Sequence, residues 1–404
     1  MKHLIPTALV LAVAITACGN GSDDAPSSAG GSGGTGGDEP TTGGSPPASA
    51  GASSTSTHDF CNDLGTTIGM GAAIFGDAGT AWFEGAAEPP SSVGWTYGYM
   101  YASGDPHDDL DGFEWIVNFR LDTAEQAGAT IPTVTFYRML NVGRDHAHSG
   151  TEAQVVQAML ADGDAMSDYL DDFVAVLDVL ATRATPPLLH VEPDSWGFMM
   201  WAFDGFDGTT GNADASAITV AMDGHAALGG QTFANDAGGL GQAMLYLRDQ
   251  HAPDVRLGWH ASNFRVGTRP EVVTGFYASV GVWDVIVTEP PHMNGSGSSP
   301  WDVADEDNTN NLNWLDTVST TTGLPILIWQ TYVDDADPYL GGWPGNQDNL
   351  TALAENGVAG VLWDPNGNGG DCGYSCAGAG TLRDNLAAYA AAPLALPDGH
   401  VCRQ

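Results

Sequence analysis

Leu188-Leu189-His190-Val191-Glu192-Pro193-Asp194-Ser195-Trp196 holds an imidazole, two carboxylates and an indole within nine residues. The segment opens as an apolar run of strand type and runs out into acids. Extended backbone has a side-chain period of two, which predicts His190, Glu192 and Asp194 on one side. Pro193 cannot donate to a ladder, so regular pairing is expected to stop near it. Two carboxylates and an imidazole at a strand end suit acid/base chemistry, whereas a strand buried only for packing has no use for them. The competing role is capping of the next helix by a strand-end carboxylate, which fits Asp194 better than Glu192.

Other strand-like runs end in candidate groups too. Val287-Thr288-Glu289-Pro290 is a second apolar run that terminates in Glu-Pro, and Glu289 is the expected partner of Glu192, with Asp194 in support. Gly258-Trp259-His260 brings His260 to a strand end, either to the site or into the core. Trp95, Tyr97, Tyr99 and Tyr101 alternate, so they share a face. Tyr97 and Tyr99 are either stacking platforms for sugar rings or packing under helices. Arg138 follows the third run and either holds a substrate oxygen or makes a structural salt bridge. Trp196, Trp329, Gln330 and Trp363 are further substrate-binding candidates, and Asp364 can orient a base or bind a hydroxyl. His146 and His148 lie in a polar loop and are expected to be solvated rather than metal ligands.

Positioning these groups requires eight short β-type runs: 67–75, 93–101, 131–140, 187–192, 255–260, 282–289, 324–332 and 358–364. Most are apolar nearly throughout, as parallel strands covered on both faces are. Helical patterns lie between most of them, at 113–127, 151–183 (long enough for two helices), 234–251, 270–279, 312–320, 349–356 and 381–391. Thr151-Glu152-Ala153-Gln154 is a capping-box pattern. The gap after the first strand reads as loop, and Asp204–Gln231, rich in Gly, Asp and Thr, reads as an insertion on the catalytic rim. Strand then helix, eight times, predicts an α/β fold, a single (β/α)8 TIM-type barrel of parallel strands. In that barrel the active site lies at the carboxyl ends of the strands.

The start of the chain is of another kind. A basic Met1-Lys2-His3 precedes an apolar run, Leu4–Ile15, too short to span a bilayer. Residues 19–58 are mostly Gly, Ser, Thr, Ala and Pro, a composition that cannot bury enough apolar surface to offset its ordering entropy. They are expected to form a disordered tether with a root-mean-square span of roughly 35 Å. The barrel then occupies 59–404.

Fifty acids against 11 Lys plus Arg give a net charge of −39. Nucleic acid and anionic membrane surfaces are therefore excluded as partners, and polyanionic substrates are disfavoured. The five cysteines are Cys18, Cys61, Cys372, Cys376 and Cys402. If Cys18 carries lipid, four remain and allow three disulfide pairings. Cys372–Cys376 with Cys61–Cys402 is the favoured one, and a zinc site is the alternative. No P-loop, dinucleotide fingerprint or Gly-Xaa-Ser-Xaa-Gly elbow is present.

Ile15-Thr16-Ala17-Cys18 resembles a bacterial lipobox, which implies residues 1–18 as a lipoprotein signal, lipidated Cys18 and an exported protein anchored at the cell surface or outer membrane. The paired carboxylates, strand-end tryptophans and lipid tether together resemble secreted bacterial (β/α)8 glycoside hydrolases. That resemblance implies a monomeric enzyme on a neutral glycan, with Glu192 as general acid, Glu289 as nucleophile or base, and no metal or cofactor. The largest clan of such barrels carries its nucleophile, a Glu, at strand seven, where this chain has Gln330; other families use strands four and six. Val191-Glu192-Pro193-Asp194-Ser195 resembles a segment of glycoside hydrolase family 6, whose aspartate-rich catalytic segment is absent here. The Glu-Pro-Asp-Xaa-Trp-Gly and Trp-Gln segments also look like those of uncharacterised bacterial barrel lipoproteins. Two rivals remain: a metal-dependent hydrolase with His190, Glu192, Asp194 and His260 as ligands, and a non-catalytic carbohydrate-binding surface lipoprotein.

Overall fold

The structure is a computed structural model describing residues 64, 66–74, 76–87, 96–102, 110–203, 211–262, 269–290, 306–332, 347–364 and 377–397. Eight parallel strands close in sequence order into one barrel. They are β1 Gly69–Ala73, β2 Tyr97–Ala102, β3 Ile131–Phe136, β4 Leu188–Val191, β5 Arg256–His260, β6 Val285–Thr288, β7 Ile326–Tyr332 and β8 Val358–Asp364. Each falls on one of the expected runs. The (β/α)8 barrel is thus the fold of this chain.

Among the described residues the helices are α1 Gly76–Ala87, α2 Leu110–Gln126, α3 Met139–Asp145, α4 Glu152–Leu160, α5 Gly163–Ala181 and α6 Pro193–Met200, then α7 Ala237–His251, α8 Pro270–Val280, α9 Glu306–Thr322, α10 Gln347–Glu355 and α11 Ala377–Ala391. None is long and apolar enough to cross a membrane. Helix α5 shows why they form: Met166, Tyr169, Leu170, Phe173, Val176, Leu177 and Leu180 recur at helical spacing and all are buried. Asp162 caps its start by accepting from Asp164 N at 3.0 Å and Ala165 N at 3.3 Å. At α4 the capping box closes, with Thr151 Oγ1 accepting from Gln154 N and Gln154 Oε1 from Thr151 N.

Three helices fall where none was expected. Helix α1 occupies the supposed loop after β1. Helix α3 begins where the apolar run of β3 continues into Met139 and Leu140, and α6 starts directly on Pro193, a favoured first helical position. The described part of the expected rim insertion, 211–231, lies against helices instead. It forms two short 3₁₀ turns, buries Ile218, Val220 and Met222, and donates from Ala221 N to Leu160 O at 2.8 Å.

The two faces of the strands sort into two cores. Leu189, Val191, Leu257, Trp259, Ile286 and Ile328 pack outward under the helices. Leu188, Val285, Val287, Leu327, Trp329 and Leu362 fill the barrel interior. Tyr97 joins the interior set at the amino-terminal floor, where its ring lies across β1 and β8. Glycine makes room for it: a methyl at Gly69 would stand 2.5 Å from Tyr97 Cε2, and one at Gly360 would stand 2.6 Å from it. Beneath this floor the chain end folds back. Leu396 N donates to Thr66 O at 2.8 Å, and Tyr389 Oη donates to Ile68 O at 2.9 Å. The five cysteines lie outside the described residues, so the expected disulfides do too.

This packing predicts opposite signs for two small changes. Gly69→Ala forces the Tyr97 ring to move and should lower stability by about 1–3 kcal/mol in urea denaturation. Tyr97→Phe removes a buried hydroxyl that has no partner among the described residues, and should leave stability unchanged or raise it by up to about 1 kcal/mol. A large loss in Tyr97→Phe would show that the hydroxyl is bonded.

Candidate active site

Inward alternation brings four polar residues to adjacent strands at the carboxyl end of the barrel. Thr135 on β3 faces His190 on β4, its partner in strand register, with Oγ1 and Nδ1 3.3 Å apart. His190 Nε2 lies 2.9 Å from Nδ1 of His260 on β5. His260 Nε2 lies 2.8 Å from Glu289 Oε1, just beyond β6, and Ser262 Oγ donates to the same oxygen at 3.1 Å. Trp329 on β7 presents its ring at a steep angle to both imidazoles, with centroids 4.5 Å from His190 and 5.6 Å from His260. All six residues are buried. Burial holds the His190 pKa well below its ordinary value, so His190 is neutral.

Asp194 stands in the first turn of α6. Its side chain is exposed to solvent, although much protein surrounds it. Its pKa is pushed up to about 6 by that enclosure and by the nearby Glu289 carboxylate; a hydrogen bond from Tyr137 and the presence of His260 pull the other way. Tyr137 is held well above its usual range by burial and by Asp194, Glu152 and Glu192. The Asp194 carboxyl is thus within range of the Glu289 charge, and Glu289 in turn lies 2.8 Å from His260 Nε2.

Glu192 takes another direction, and the expected one-sided run of His190, Glu192 and Asp194 fails there. Its backbone is left-handed, with φ 51° and ψ 69°, which ends the strand's alternation. Its fully buried carboxylate reaches the start of α3: Oε1 accepts from Arg138 N at 2.8 Å and Met139 N at 3.1 Å, and Oε2 accepts from Ser195 Oγ at 2.9 Å. The phenol of Tyr169 on α5 also stands against the Glu192 carboxyl, which helps to hold the phenol's own pKa well above its usual value, after burial. Burial raises the Glu192 pKa to about 7 against these donors. So the carboxylate expected to face Glu289 instead caps a helix in the wall, while Asp194, expected in support, is the one within range of the Glu289 charge.

Several other candidates serve the scaffold. Arg138 is buried against Asp172 of α5, with Nη2–Oδ2 2.6 Å and Nε–Oδ2 2.8 Å. Trp196 is enclosed by Trp259, Phe276 and Trp283, and Trp363 packs in the outer core, so neither indole lines an open surface. Tyr97 lies at the floor, far from the strand ends. Asp364 is buried at the mouth end of β8, on the inward alternation of Leu362. Gln330 is half-buried beside a β7–β8 irregularity and is left-handed, with φ 50°. Strained backbone at Glu192, just past β4, and at Gln330, within β7, persists only where the surroundings over-determine it. The side chain of Tyr99 lies outside the described residues. His146 and His148 bond Asp168 and Asp162 near the surface. Among the described residues no three His, Cys, Asp or Glu side chains gather as a metal-binding set.

Thr135, Tyr137 and Ser262 belong to the site and were not singled out from sequence. The available signal was weak: Thr135 sits on the inward alternation of Ile131 and Thr133.

Comparison with known proteins gives no matching family model and no matching curated protein. Among solved structures the chain is similar to a Cellulomonas fimi endo-beta-1,4-mannanase double mutant, at 15% identity and TM-score 0.46, over 84% of this chain and 66% of that one. It is similar to endo-glycoceramidase II from Rhodococcus sp., at 12% identity and TM-score 0.45, over 80% of each chain. It is also similar to an HpcH/HpaI aldolase from Desulfitobacterium hafniense, at 11% identity and TM-score 0.33, over 74% of this chain and 86% of that one. Likeness at this level bears on no reaction.

The capping role of Glu192 predicts a signature in stability. Its folded pKa of about 7 lies above its ordinary 4.5, so the folded state binds more protons between those values. Stability should fall as pH rises through that window, with a slope of up to about 1.4 kcal/mol per pH unit. Glu192→Gln keeps an acceptor for the α3 amides and should flatten this part of the curve in urea midpoints taken from pH 4 to 8. Equal pH dependence in the two proteins would contradict the assignment.

Proposed function

We propose that the chain is a glycoside hydrolase acting on a neutral glycan, with Asp194 as general acid and Glu289 as nucleophile or base. What supports this reading is two carboxyl groups at the carboxyl end of a (β/α)8 barrel, Asp194 in the first turn after β4 and Glu289 just past β6, in unequal surroundings. Glycosidic cleavage needs one carboxyl group protonated and one ionised across the bond. Donors from His260 and Ser262 favour the ionised form of Glu289, while enclosure and the neighbouring charge favour the protonated form of Asp194. Glu192 supports the site from the wall. The scarcity of cations disfavours anionic sugars, since 11 Lys plus Arg face 50 acids.

The enzyme would be exported, processed at residues 1–18, anchored through lipidated Cys18 and carried as a monomer on the tether of residues 19–58. Metabolic labelling with a tagged fatty acid checks this: wild type should take up label and Cys18→Ala should not.

Hydrolysis of a panel of neutral polysaccharides tests the activity. Asp194→Asn and Glu289→Gln should each lose about 10²–10⁴-fold in turnover, the usual worth of acid/base groups. Glu192→Gln should stay within about tenfold of wild type. The general acid works protonated, so wild-type kcat/KM should fall above about pH 6. Full activity in Asp194→Asn would remove the proposed pair, and sugar binding without turnover in wild type would favour a surface-binding protein.

A further inference from the structure

Barrel interiors of this fold are usually filled with branched apolar side chains. Here four adjacent strands instead contribute a connected polar row, Thr135, His190, His260 and Glu289, sealed by the Trp329 ring. Burying such a row is costly unless each member is satisfied, and satisfaction fixes the direction of every hydrogen bond.

His190 is neutral and has one N–H for two neighbours. A carboxylate at Glu289 needs a proton on His260 Nε2. With that proton in place, a neutral His260 accepts at Nδ1 from His190 Nε2–H, and His190 then accepts at Nδ1 from the Thr135 hydroxyl. Every donor points toward Glu289. Reversing the row puts the proton on Glu289, which then donates to His260 Nε2. A doubly protonated His260 would instead turn His190 around, so that it donates to Thr135.

We propose that Thr135 and His190 are positioning residues that act through His260 to hold the Glu289 carboxylate ionised and fixed in orientation. The inference rests on Glu289 being the nucleophile or base. The groups facing this row are Ser262 at the same Glu289 oxygen, Asp194 from α6, and the Trp329 edge from β7.

The test compares the full chain with Thr135→Val and Thr135→Ala, which remove the hydroxyl, and Thr135→Ser, which keeps it. Nitrogen-15 NMR should find both imidazoles of wild type protonated at Nε2. In the Val and Ala variants the His190 tautomers should mix, and carbon-13 NMR should show the Glu289 carboxyl titrating at higher pH. On a hydrolysed substrate, kcat should fall about 2–10-fold, the worth of one buried hydrogen bond, with KM little changed and the acid limb moved upward. Thr135→Ser should restore wild-type behaviour in all readouts. His190 protonated at Nδ1 in wild type, or a Glu289 titration indifferent to Thr135, would overturn the proposal. If no glycan is hydrolysed, the glycosidase reading falls while the spectra still decide the row. Two hydroxyl-deleting variants guard against one failing to fold.

Discussion

The site depends on one buried interaction, the hydrogen bonds from Arg138 N and Met139 N to the Glu192 carboxylate. They draw Glu192 out of the strand's alternation and into the wall, and the left-handed residue they stabilise lets α6 begin at once on Pro193. The first turn of α6 then carries Asp194 at the carboxyl end of β4, within range of the Glu289 charge. A left-handed non-glycine residue costs on the order of 1–2 kcal/mol, which three hydrogen bonds to a buried carboxylate are able to offset. The same carboxylate connects β3, β4, α3 and α6, so a change there would alter both the shape and the charge of the mouth.

The barrel was legible because its strands are buried on both faces and so appear as unbroken apolar runs; the bounds of β8 even coincide with those expected. Helices were legible where an apolar stripe recurs, as in α5, and were lost where it does not. Helix α1 is rich in Gly and Ala, α3 hides behind the apolar end of β3, and α6 starts on a proline. The site divides in the same way. His190, His260 and Glu289 obey the period of two and face inward as their strands dictate. Glu192, Trp196 and Arg138 lie beyond strand ends, where a single left-handed residue or a helical turn redirects the side chain and no local pattern announces it.

The cations show how so acidic a chain stays folded. Arg138 is engaged by Asp172, Arg248 by Asp284 and Asp249, and Arg183 by Asp122 and Glu125. Arg256 donates to the carbonyl of Pro186. Several of the scarce arginines thus join elements to one another inside the structure and are not presented at the mouth.

Two carboxylates close enough to feel each other raise one another's pKa, and symmetry alone would leave undecided which keeps the proton. The barrel breaks that symmetry through its strands. Glu289 lies in line with β6, with His260 Nε2 2.8 Å from its Oε1 and Ser262 Oγ donating to the same oxygen, both on the β5 side. Asp194 comes from a helix turn, is open to solvent and has the Tyr137 hydroxyl to counter the enclosing protein. The inequality is structural: one group belongs to the rigid interior and the other to its rim. A proton shared between them would therefore reside on the rim and the charge on the interior.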